Sequence, residues 1–132
     1  PLITESKAEP RTDFTRMPVA EVDAVITADL NDAIANLPEV DATATQNRIN
    51  KDCARILAGE AFNRMGKYGE AEAAVTPTII GGKYKLISER YGKFLSDAGD
   101  YYSDMFRWGN QRRSQGNTEG IWVFQMEYNR DV

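Results

Sequence analysis

The chain has 132 residues, sixteen Lys and Arg against twenty Asp and Glu, a formal net charge of −4, one cysteine and no histidine. With acids in excess there is little counterion release to drive phosphate binding, so nucleic acid is not an expected partner. A lone Cys53 and no histidine exclude triad hydrolysis, zincin chemistry, multi-cysteine zinc sites and an internal disulfide.

Residues 1–17 are polar, contain Pro10 and show no periodicity, which reads as an extended arm. No stretch approaches the run of about twenty apolar residues that crosses a bilayer. The start, "PLITESKAEP", lacks the charged-then-apolar order of a signal peptide. The chain opens at Pro1 without an initiator Met and closes at Val132 just past a strand-like segment, so both ends read as cuts through a longer protein.

Residues 18–80 form a helical region. Val19, Val22, Val25, Ile26, Leu30, Ala33, Ile34 and Leu37 recur every three or four positions, which predicts a helix over 18–37 opened by Pro18 and stopped by Pro38. After the loop "EVDATATQNR", Asn50 is the expected N-cap of a second helix over 51–65, carrying Cys53, Ile56, Leu57, Ala61, Phe62 and Met65 and ended by Gly66. A third helix over 67–80 places Tyr68, Ala71, Ala74, Val75 and Ile79 on one face, with Pro77 expected to kink or shorten it. The last two make a hairpin. Ala54, Ala58, Gly59 and Ala61 on one arm, and Ala71, Ala73 and Ala74 on the other, let the axes approach closely. Gly59, Phe62, Gly66, Tyr68 and Ala71 occupy the small, aromatic and turn places of a tetratricopeptide repeat, while Val75, Thr78 and Lys83 depart from it, leaving one degenerate repeat.

Residues 81–132 are more irregular. "KYKLI" can be extended, and Tyr91 and Phe94 supply apolar anchors. A short helix from about Asp100 to Trp108 would set Tyr101, Met105 and Trp108 on one side and Tyr102 and Phe106 on the other. The polar loop "GNQRRSQGNTEG" fills 109–120, and Ile121–Tyr128 then alternates, with Trp122, Phe124, Met126 and Tyr128 on one face of an expected strand. Apart from "KYKLI" the chain offers that strand no partner, so its partners are expected in sequence outside these residues.

Taken together, "PVAEVDAVITADLNDAIANLP", "NRINKDCARILAGEAFNRMGKYGEAEAAV", "GGKYKL" and "DMFRWGNQRRSQGNTEGIWVFQMEYN" resemble the SusD/RagB family of outer-membrane nutrient-uptake lipoproteins. The resemblance covers residues 14–130 and a middle portion of a typical member. It implies an all-α fold of tetratricopeptide-like helical hairpins, an α/α superhelix, with an irregular polar loop and a short terminal strand. It implies binding of glycan or another oligomeric nutrient at the cell surface, and delivery to a TonB-dependent, SusC-like transporter barrel. It also implies membrane association only through a lipid on a cysteine outside this chain, so Cys53 is not the anchor. No catalytic residue, metal or cofactor is assigned. The rival reading is a stand-alone tetratricopeptide-type adaptor that binds a peptide in a helical groove.

Individual residues carry competing roles. Trp108, Tyr101 and Tyr102 are the candidate ligand-binding residues, because an aromatic face beside polar groups suits a sugar ring; packing into a core or a partner interface is the alternative. Asp97, Asp100 and Asp104 lack the alternating spacing of a calcium loop and are expected to be solvated or to cap a helix. Cys53 is expected to be a small buried hydrophobe rather than a reactive thiol. Arg112 and Arg113, with Asn110, Gln111, Gln115 and Asn117, could meet a hydroxyl-rich ligand or satisfy the loop's own backbone. We expect the second: a brace whose Asn side chains bond main chain while Arg112 or Arg113 reaches an acid or helix-end carbonyls.

Overall fold

The apolar spacing sets where helices form. The computed structural model describes residue 3 and residues 12–40 and 48–124. Helix α1 spans Val19–Asn36, α2 Lys51–Arg64, α3 Tyr68–Ile80 and α4 Tyr101–Asp104, with 3-10 turns at Gly92–Phe94 and Arg113–Gln115. The three long helices lie within a residue of their predicted limits. Asn50 is the cap that its type predicts: its Oδ1 accepts from the backbone N–H groups of Asp52 at 2.9 Å and Cys53 at 3.2 Å. Pro18 stands one residue outside α1, and its carbonyl accepts the N–H groups of Glu21 and Val22. Helix α3 runs on through Pro77 to Ile80.

Helix α2 is the middle element and packs against both α1 and α3. Leu30, Ala58 and Phe62 form the buried centre, with Ile26, Ile34, Ala61, Met65, Ala71 and Ala74 packed around it. Removing Leu30 and Phe62 from water stabilises the fold by roughly 1.5–3 kcal/mol each. The small residues work as expected at Gly59, where an added Cβ would come within 2.3 Å of Val75 Cγ1, so a larger residue here must displace the Val75 side chain from the α2–α3 contact. Ala73 is a correction, because it is exposed and lies outside the interface. No helix among the described residues is long and apolar enough to cross a membrane.

The described residues are helical or irregular, with no strand among them. Of the expected strand, residues 121–124 form no ladder, and residues 125–128 lie outside the described residues. The reason is visible in "KYKLI", whose backbone is already engaged by the polar loop. Lys85 N–H donates to the Thr118 carbonyl at 3.1 Å, Thr118 Oγ1 donates to the Lys85 carbonyl at 3.1 Å, and Ile87 N–H donates to Glu119 Oε2 at 2.9 Å. The main chain and side chains of the polar loop thus take bonds that a ladder would need. The short helix is corrected too. It ends at Asp104, and the chain continues through tighter three-residue bonds from Phe106 to Ser103, Arg107 to Asp104 and Asn110 to Arg107.

Candidate functional site

Four aromatic side chains stand out from α4 and the turns after it: Tyr101, Tyr102, Phe106 and Trp108 are 44, 62, 63 and 54 % exposed. Tyr102 and Phe106, expected on one side of a longer helix, meet edge to face with centroids 5.3 Å apart. Core packing is therefore not what holds these rings within the described residues. Polar contacts hold the segment instead. Asp100 Oδ1 accepts Ser103 N–H at 2.7 Å while Ser103 Oγ accepts Asp100 N–H at 3.0 Å, a reciprocal cap on the first turn. Those bonds hold the Asp100 carboxyl below the usual range. Arg107 lies over the Phe94 ring at 4.7 Å and pairs with Asp97 at 3.3 Å.

Asp104 departs from its expected solvated or capping role. It is fully buried, and Arg90 grips both its oxygens, Nε to Oδ2 at 2.8 Å and Nη2 to Oδ1 at 3.1 Å. Hydrogen bonding from Arg90 is the main cause that holds its carboxyl below the ordinary value. The same guanidinium donates to the carbonyls of Phe94 and Asp97, tying the 3-10 turn at Gly92–Phe94 and the following loop to α4.

The polar loop has the geometry of a brace. Asn110 is fully buried; its Nδ2 donates to the Tyr91 carbonyl at 3.0 Å, its Oδ1 accepts Lys93 N–H at 2.9 Å, and its own carbonyl accepts the Tyr91 hydroxyl at 2.9 Å. Asn117, also buried, donates to the Gln111 carbonyl at 3.0 Å and accepts from the N–H groups of Glu119 at 3.1 Å and Gly120 at 2.9 Å. Arg113 reaches the Lys83 carbonyl through Nη2, beyond the end of α3, and its guanidinium covers the Tyr84 ring at 4.9 Å. Its Nη1 is buried with no hydrogen-bond partner.

Tyr84 connects this brace to the helices. Its hydroxyl donates to Asp52 Oδ2 at 3.2 Å, while Asp52 Oδ1 accepts from Arg55 at 2.8 Å and Thr78 at 2.9 Å. Burial by itself would raise the Asp52 carboxyl, but these hydrogen bonds and the charge of Arg55 outweigh it and hold the group low. Burial and the neighbouring Asp52 charge push the Tyr84 hydroxyl well up. One aspartate thus joins the start of α2, the end of α3 and the "KYKLI" segment.

Cys53 is half-buried and off the central cluster, with its thiol 3.9 Å from the Ile121 carbonyl. It borders a mostly apolar groove of about 440 Å³ between α1 and α2, lined by Leu30, Leu37, Ile49, Leu57 and Trp122 among others. Sequence reasoning singled out Tyr101, Tyr102 and Trp108, and the fold places them along one short segment. It did not single out Asp52 or Arg90, and it gave the buried Asp104 a solvated or capping role. The two aspartates carry only the signal of an acid near apolar or aromatic residues, which also describes many solvated acids, and Arg90 carries none. No family model, curated protein or solved structure matches this chain.

Proposed function

We propose that the chain belongs to a surface nutrient-binding protein of the SusD/RagB type, which holds a glycan or other oligomeric nutrient and passes it to a TonB-dependent, SusC-like barrel. In this reading α1–α3 are part of a tetratricopeptide-like superhelix that carries the binding face, and the protein is held at the outer membrane by lipid. The observation that carries it is the set of exposed rings at Tyr101, Tyr102, Phe106 and Trp108 on a segment fixed by buried polar bonds. Rings held in water by a rigid support present flat apolar faces next to hydroxyls and amides, the combination that pyranose rings stack on. The role in this reading is binding, which calls on no acid-base pair and no metal.

The test is a glycan array on the full-length parent protein, followed by titration of each retained oligosaccharide against Trp108→Ala and Tyr102→Ala. Each loss of a stacking ring is expected to weaken binding by about tenfold with melting unchanged. Co-purification with a TonB-dependent barrel is the second expected result. A parent that retains no carbohydrate and brings down no barrel refutes the proposal.

The apolar groove between α1 and α2 favours the second reading, a peptide-binding adaptor. A peptide-array screen of the same protein distinguishes it, since a carrier gives sugar hits and an adaptor gives helical-peptide hits that Leu57→Glu abolishes.

A further inference from the structure

The segment "DYYSDMFRW" inverts the usual logic of a helix on a protein surface. Its fully buried side chain is a carboxylate, Asp104, while four large rings within four residues of it stay in water. A buried acid costs free energy unless it is paired and hydrogen-bonded. Exposed rings forgo the burial that would normally fold them inward. A four-residue helix has no cooperative stability of its own, so what fixes its orientation is what it is tied to. Here that tie is Arg90, which spends its Nε and Nη2 on both oxygens of Asp104 and donates further to the carbonyls of Phe94 and Asp97. All of these bonds run among residues 90–104.

We propose that Arg90 and Asp104 are positioning residues: their bidentate pair, with Asp104 buried and Arg90 half-buried, anchors α4 by its polar side, so that Tyr101, Tyr102, Phe106 and Trp108 face outward as a preformed stacking surface. The inference rests on the sugar-binding reading for its ligand, but the outward placement of the rings is tested without one. Two carboxylate oxygens in the fork of a planar guanidinium fix distance and orientation together. An apolar pair in the same place fills the volume without setting direction, and the bond that fixes the orientation of α4 against inward packing of the rings is then lost. Preorganised rings bind without first paying to unfold from a collapsed state, which is the advantage of the arrangement.

The experiment uses the full-length protein with Trp122 and every tryptophan outside these residues replaced by Phe, so that Trp108 reports this segment, and compares Arg90→Met/Asp104→Leu with Arg90→Gln/Asp104→Asn. Replacing a buried ion pair by apolar residues of similar size is commonly neutral for stability, so the first variant is expected to stay folded by circular dichroism. Acrylamide quenching of Trp108 is expected to fall by about twofold as the rings turn inward, and affinity for maltohexaose, cellohexaose, laminarihexaose or xylohexaose, whichever the parent binds, to fall by about tenfold. The neutral hydrogen-bonding pair is expected to restore both readings. A folded Arg90→Met/Asp104→Leu protein with parental quenching overturns the proposal. So does loss of helical structure in that variant, because the pair would then serve the whole fold rather than the aromatic segment. A parent that binds none of the four hexaoses counts against the sugar reading, while the quenching comparison still decides the role of the pair.

Discussion

Asn110→Ala tests the brace most directly. The carboxamide bridges Asn110 to the 91–93 turn, so its removal leaves the Tyr91 carbonyl and the Lys93 N–H without their partners. A buried group left unpaired costs about 1–3 kcal/mol. Tyr91 is only half-buried and Lys93 is exposed, so water relieves part of this and the loss should be about 2–3 kcal/mol. For a chain of this size that lowers the melting temperature by roughly 10 °C. The facing residue gives an internal control. Gly92 has φ +75°, and an added Cβ would come 2.1 Å from Asn110 Oδ1, so Gly92→Ala should destabilise by forcing this same contact apart and by straining a left-handed backbone. In the double variant the clash with the carboxamide is gone, so the losses should be less than additive. Urea and thermal melts of the two single variants and the double, followed by circular dichroism, give the answer. Asn110→Ala melting within a degree or so of the parent, or strict additivity with Gly92→Ala, would refute the interlock.

The remaining predictions concern the helices, the loop and pH. Ala58 is fully buried between helices, so Ala58→Trp should overpack the α2 contacts at roughly 1–3 kcal/mol; a parental melting curve would exclude this packing. Asn117→Ala and Arg113→Ala should each lower stability by roughly 1–3 kcal/mol, Arg113 at the low end because its Nη1 is already unpaired, with oligosaccharide affinity of the folded protein nearly unchanged. Affinity lost without a change in melting would instead make the loop a binding surface. The Asp52 carboxyl is held low in the folded protein, so the stability it contributes is present above the ordinary aspartate value near ~4 and is lost as pH falls through the lowered one. Urea midpoints measured from neutral to acid pH should therefore fall less steeply for Asp52→Asn than for the parent, and parallel acid limbs would contradict this.

The helices were legible in the sequence because their causes are local. Leu30, Ile34, Ala58 and Phe62 recur at helical spacing, Asn50 caps by its own side chain, and Gly66 takes the positive φ, +76°, that ends the turn after α2. The polar loop was legible by composition, since buried Asn in a turn-rich stretch must answer to backbone groups, and Asn110 and Asn117 do. Ring placement and the partners of the acids were not. Whether Tyr102 faces water or a core depends on what stands behind α4, and that is Arg90, fourteen residues from Asp104 along the chain. Spacing gives the faces of an element, but not which face the rest of the chain will cover. The same limit explains the missing ladder at residues 121–124: alternation marks a segment able to pair, while the bonds of Lys85 and Ile87 to Thr118 and Glu119 decided that its one local partner was already engaged. Local periodicity and capping chemistry determined the helices of this protein. Only the tertiary structure decided which carboxylates are buried and which aromatic rings remain in water, because Asp52 is enclosed by Thr78 and Tyr84 and Asp104 by Arg90, partners that helical spacing does not select.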